Sequence, residues 1–77
     1  MKVTIRMSIS NEQNSALRNK LAGILTGQGF VLQNNTASYE NSSIQPQALS
    51  VMLQNYWSTA GAHSGPGVVD HFWMVAQ

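Results

Sequence analysis

Nine residues close to the C-terminus, Val68 to Ala76, constrain this chain more than any other stretch. A strand turns alternate side chains to opposite faces. Read that way, the segment places Val68, Asp70, Phe72, Met74 and Ala76 on one side and Val69, His71, Trp73 and Val75 on the other. Both sides are mainly apolar, and a strand of this kind needs cover on both faces. A chain of 77 residues buries only about 60% of the surface it exposes when unfolded, so a single compact domain spanning residues 1–77 is expected. Its packed layer can cover one face of the strand. The other face is left for a second copy of the chain or for another protein, and the expected interface residues are Val69, His71, Trp73 and Val75.

The N-terminal segment has a different character. Val3, Ile5, Met7 and Ile9 fall on one face and Lys2, Thr4, Arg6 and Ser8 on the other, the period of a half-buried strand. Ser10-Asn11-Glu12-Gln13 has the spacing of a capping box, in which Ser10 and Gln13 satisfy each other's backbone donors. A helix is predicted to follow, because Leu17, Leu21, Ile24 and Leu25 recur on one helical face. Asn14, Arg18 and Asn19 then face solvent, and Gly27 and Gly29 supply a left-handed stop.

Phe30 to Gln33 and Thr36 to Glu40 read as the arms of a hairpin turning at Asn34-Asn35. Pro46 suits the first position of a second helix, with Gln45 as its cap and Ile44 and Leu49 at the spacing of a hydrophobic staple. Leu49, Met52, Leu53 and Tyr56 form its buried stripe, with Ala48 and Ala60 at the margins. Residues 62–67 are loop, punctuated by Gly65-Pro66-Gly67. The order β-α-β-β-α-β is that of a ferredoxin-like α+β sandwich of two layers. It has a four-stranded antiparallel sheet, two helices on one face, and the other face bare. The first and last strands are neighbours in this arrangement.

Composition removes several classes of function. There is no cysteine, which excludes disulfides, zinc ribbons and thiol catalysis. Four Lys and Arg residues are too few for an electrostatic DNA binder. Solubility rests on neutral groups, since Asn, Gln, Ser and Thr account for 27 residues against seven charged ones. The longest apolar run, Phe72 to Ala76, has five residues where a membrane helix needs about 20, and the first residues lack a signal-peptide core. A cytoplasmic location and no membrane partner are expected. Asn34-Asn35-Thr36 and Asn41-Ser42-Ser43 fit the glycosylation pattern but are read as chance.

The candidates for metal or acid–base chemistry besides Glu12 are Glu40, His63, Asp70 and His71. They lack ligand spacing, and Asp70 and His71, as strand neighbours, point to opposite faces. There is no Gly-x-Ser-x-Gly elbow, and Gly65-Pro66-Gly67 lacks the Lys-Ser/Thr of a phosphate loop. No catalytic residue, metal or cofactor is assigned, and no enzyme activity is expected.

Two readings follow. The first is a small non-enzymatic, cytoplasmic, macromolecule-binding or regulatory module. It is a homodimer, or binds another protein, through the open sheet face or the C-terminal strand. Its short, charge-poor make-up suits an accessory protein of a phage or mobile element. The second is a ferredoxin-like binder of single-stranded nucleic acid, or an endoribonuclease of antitoxin type. The fold sets His71 and Trp73 beside Arg6, and Lys2, Arg6 and Trp73 then combine cations with a stacking surface. The Arg6–Trp73 pair would serve equally as a cation–π contact inside a dimer.

Overall fold

The alternating N-terminal segment becomes β1 (Val3–Ser10), and everything else is arranged around it. A computed structural model describes residues 1–34 and 37–77. After β1 come α1 (Ala16–Gly27), β2 (Val31–Leu32), β3 (Ser38–Asn41), α2 (Pro46–Ala62) and β4 (Val68–Ala76). The strands form one sheet in the order β2-β3-β1-β4, with every neighbouring pair antiparallel. This is the ferredoxin-like α+β sandwich, and β1 and β4 are adjacent.

Val3, Ile5, Met7 and Ile9 of β1 are buried, while Arg6 and Ser8 are exposed. Leu17, Leu21 and Leu25 of α1 and Leu49, Met52 and Tyr56 of α2 close over the apolar row, and Phe30 and Ile44 join the same core. Each such side chain contributes about 1.5–3 kcal/mol by leaving water. Tyr56 is wholly buried and donates its hydroxyl to Met7 Sδ at 3.2 Å, tying α2 to β1. Burial pushes its phenol up to about 12, because the anion would lose its hydration.

The ends of α1 divide between expectation and correction. Its C-terminus is a Schellman motif: Phe30 N–H donates to Leu25 O and Gly29 N–H to Thr26 O, with Gly29 at φ 87. Gly29 alone provides the left-handed residue, for Gly27 is the last helical residue. At the N-terminus the Ser10–Gln13 capping box does not form. β1 runs on through Ser10, the helix starts six residues after it at Ala16, and the N-cap Ser15 is left-handed with no side-chain cap bond. Glu12 does the capping from a distance. Its carboxylate accepts the backbone N–H of Arg18 and the Arg18 Nε, both at 3.1 Å. Of the three residues expected on the solvent face of the helix, Asn19 is exposed there, Asn14 is exposed but lies before the helix, and Arg18 is half-buried and held.

The hairpin is present, with Val31 paired to Glu40 and Leu32 to Tyr39. Its first arm is only two residues long. The Asn34-Asn35 turn lies partly outside the described residues, as does Thr36 of the second arm. α2 begins as expected, with Pro46 in its first turn after the extended Gln45 and with Ile44 and Leu49 both buried.

β4 departs from simple alternation. Its register against β1 runs regularly from Ala76 opposite Val3 to His71 opposite Ser8, then shifts so that Val69 lies opposite Ile9 and Val68 opposite Ser10. Asp70 is the extra residue, the mark of a β-bulge. Directly paired residues share a face, so the expected faces are corrected below the bulge. Val69 turns to the core side beside Ile9 and packs against the core, while Val68, expected on that side, turns to the open face and is exposed. The bulge also brings Asp70 Oδ2 within 3.6 Å of His71 Nε2, so these two side chains do not point apart as strand neighbours would.

Candidate functional site

The open face of the sheet is built row by row from the pairing register. Thr4 lies between Glu40 and Val75, Arg6 between Ser38 and Trp73, Ser8 beside His71, and Ser10 beside Val68. The β1 and β3 positions are polar and the β4 positions are mostly apolar. Trp73, Val75 and Val68 are at least a third exposed. Of the residues expected at an interface, His71, Trp73 and Val75 share this face and Val69 does not.

The helix side of β4 is also incompletely covered. Phe72 packs against Tyr56 and Trp57 with ring centroids 5.0 Å apart in both cases, yet Trp57 remains 47% exposed. Trp57 and Leu53 line a groove of about 650 Å³ along α2 that reaches Met1. Phe72 and Met74 themselves are only half-buried. Exposed apolar surface thus lies on both sides of β4, an edge strand of the sheet, and a second set, Val31 and Leu32, lies on β2 at the opposite edge. Sequence reasoning found the open side but missed Trp57. Its place at the margin of the stripe formed by Leu53 and Tyr56 was the available signal.

A second cavity, of about 510 Å³, opens beyond Arg6–Ser38, the last pair of β1 with β3 among the described residues, where β1 continues to Ser10. Its lining includes Arg6, Met7, Ser8, His71 and Trp73 from the β1–β4 ladder, Ala37 ahead of β3, and Arg18 from α1. Lys2 lies outside it and pairs with Glu40 at 3.9 Å. Arg6 and Trp73, expected together, are together; Lys2 is committed elsewhere.

Of the other ionisable groups, His63 has structural partners. His63 bridges the loop to α1: a neutral ring protonated at Nε2 donates to Pro66 O and accepts from Lys20 Nζ at Nδ1, each at 3.1 Å. Asp70 and His71 are close, but 3.6 Å exceeds a hydrogen bond and the His71 side chain is 81% exposed. Nothing holds this pair as a catalytic dyad would be held. Among the described residues no group of three or more His, Asp or Glu could hold a metal ion, and no helix is long and apolar enough to cross a membrane. No family model matches the chain, and comparison with curated proteins and with solved structures returns no match.

Proposed function

We propose that the chain is a small interaction module that works as a homodimer, with β4 pairing antiparallel to β4 of a second copy. The observation that carries this reading is the condition of that edge. β4 has nine residues and none of them is Lys, Arg or Pro, the residues that commonly protect an exposed edge from pairing. Its protective features, the bulge and the carboxylate of Asp70, lie near one end and leave Phe72 to Ala76 regular.

Size supports the same occupant. Nine residues rising about 3.4 Å each span roughly 30 Å, most of the 34 Å long axis. A stable interface removes roughly 800 Å² from each partner, about a sixth of the 4695 Å² that this chain exposes. Edge pairing brings Trp73 and Val75 on one side and Trp57 and Phe72 on the other against their copies. The self-complementary contact of a two-fold axis needs such paired patches.

Sedimentation equilibrium between 5 µM and 500 µM (about the working range of the method, bracketing the micromolar affinities of weak dimers) tests the reading. The native chain is expected at dimer mass in the upper part of this range. Val75→Lys, which sets a charge beside the edge, is expected to raise the dissociation constant at least about tenfold with an unchanged far-ultraviolet spectrum. A native chain that stays monomeric throughout would sink the proposal.

A further inference from the structure

The cavity at the end of β3 shares Trp73 with the proposed dimer edge, but it sets beside that indole a cation that edge pairing does not use. Of the four Lys and Arg side chains, Lys2 is paired with Glu40, Arg18 with Glu12, and Lys20 with His63. The Arg6 guanidinium makes no ion pair, hydrogen bond or ring contact with any described residue. Trp73, its direct cross-strand neighbour, is half exposed. Among the described residues the ring contacts all lie between Tyr56, Trp57 and Phe72, on the other side of the sheet. A cation without a counter-ion and an indole without a stacking partner thus stand side by side on the wall of one recess.

We infer that this recess binds a single unpaired nucleotide, with its base stacked on Trp73 and its phosphate at Arg6. The volume of about 510 Å³ falls within the roughly 300–1,000 Å³ of small-molecule sites. A guanidinium fork suits a phosphate better than a point charge does, and an exposed indole accepts any base because every base has a π-face. Ser8 and His71, paired across the two strands, set polar groups on the same wall within reach of a ribose or a base edge.

Local charge decides the size of the ligand. Arg18 adds a second cation to the lining, but Glu12 is bound to it at 3.1 Å. Asp70, with Oδ2 3.6 Å from His71 Nε2, sets a carboxylate beside the lining. Glu40, one row away, is shared with Lys2. The recess therefore favours one or two phosphates and gives no track for a long polyanion. Binding to a single strand through one or two phosphates has a salt slope of only about −0.7 to −1.4, so affinity should fall about three- to sevenfold between 50 and 200 mM salt.

Fluorescence of Trp73 in a Trp57→Phe background reads the site directly. Adenosine 5′-monophosphate is expected to quench it saturably, and adenosine or inorganic phosphate alone to bind at least about tenfold more weakly. Arg6→Gln, at an exposed position, is expected to lower affinity for the monophosphate at least about tenfold while the circular dichroism spectrum stays native. Hexaadenylate in a parallel titration separates the two sources of this chemistry. Tighter binding than the monophosphate identifies a single-stranded nucleic acid, and equal or weaker binding identifies a free nucleotide. Absence of quenching, equal quenching by adenosine and its monophosphate, or indifference to Arg6→Gln overturns the inference. Solution mass measured on the same samples keeps this result distinct from that of the dimer, since a monomer can bind and a dimer can fail to.

Discussion

β1 and β4 lie side by side in one ladder and could hardly differ more in how they are used. β1 is flanked on both edges, by β3 and β4, and its faces are sorted: Val3, Ile5, Met7 and Ile9 inward, Arg6 and Ser8 outward. β4 is flanked on one edge only, and of its nine residues none is fully buried. The greasier of the two strands is thus the less covered one. Hydrophobicity by itself does not place a strand at the centre of a small sheet. Position is set by which strand can be covered by helices on one face while showing water a polar row on the other, and only β1 has that pattern. The surplus apolar surface of β4 is what a second copy is proposed to cover.

The contrast is broken most sharply by truncating one residue in each strand. Ile5 is wholly buried in the middle of β1 and Val75 is on the open face of β4. Ile5→Ala is expected to lower the free energy of unfolding by about 2–5 kcal/mol, a large share of the roughly 5–15 kcal/mol that holds a domain together. Val75→Ala, measured at low micromolar concentration, is expected to change it by no more than about 0.5 kcal/mol. Urea midpoints at constant m value give both numbers. Comparable losses at the two positions would mean that β4 is covered within the single chain.

Alkaline titration sharpens the comparison from the side of β1. Tyr56 meets Met7 of β1 through its hydroxyl, and its phenol is raised from near 10 to about 12 by burial. Its folded pKa lies above the unfolded one, so its contribution is fully present below pH 10 and is lost as pH rises towards 12. Two pH units correspond to about 2–3 kcal/mol. The difference in stability between the native chain and Tyr56→Phe is therefore expected to be flat below pH 10 and to shift in favour of the phenylalanine variant between pH 10 and 12. A difference independent of pH would show that the hydroxyl reaches water.

The same contrast explains what could be read from the residues alone. β1 was legible because alternation and burial agree along its whole length, and α2 because Pro46, Ile44 and Leu49 carry local signals that the core then uses. The start of α1 was not legible. Ser10 is held in the sheet by pairing with Val68, so it cannot leave to cap a helix, and Glu12 reaches Arg18 instead. Tertiary pairing outweighed a local motif. In the candidate site, Arg6, His71 and Trp73 were found together because each lies on the regular part of its strand. Val69 was misplaced because an inserted residue leaves no trace in composition: Val68, Val69 and Asp70 read as three ordinary strand positions. Arg18 joined the lining only through a helix start that could not be predicted.

The smallest expected effect tests the bulge itself. Removing Asp70 would set Val69 next to His71 in a regular ladder, with Val69 still opposite Ile9 on the core side and Val68 still opposite Ser10 on the open side. No apolar group changes face, and the ladder loses an unpaired residue. What goes is a 3.6 Å contact between side chains that are 51% and 81% exposed, and ion pairs so exposed contribute little. Deletion of Asp70 is therefore expected to change stability by less than about 1 kcal/mol, with amide exchange preserved at Ile9. Deletion of Ser8 in β1 is the control, since it would turn either Ile9 or Met7 out of the core. If loss of Asp70 is as damaging as loss of Ser8, the bulge supplies a twist that the end of β4 requires. The two strands would then be constrained alike despite their different exposure.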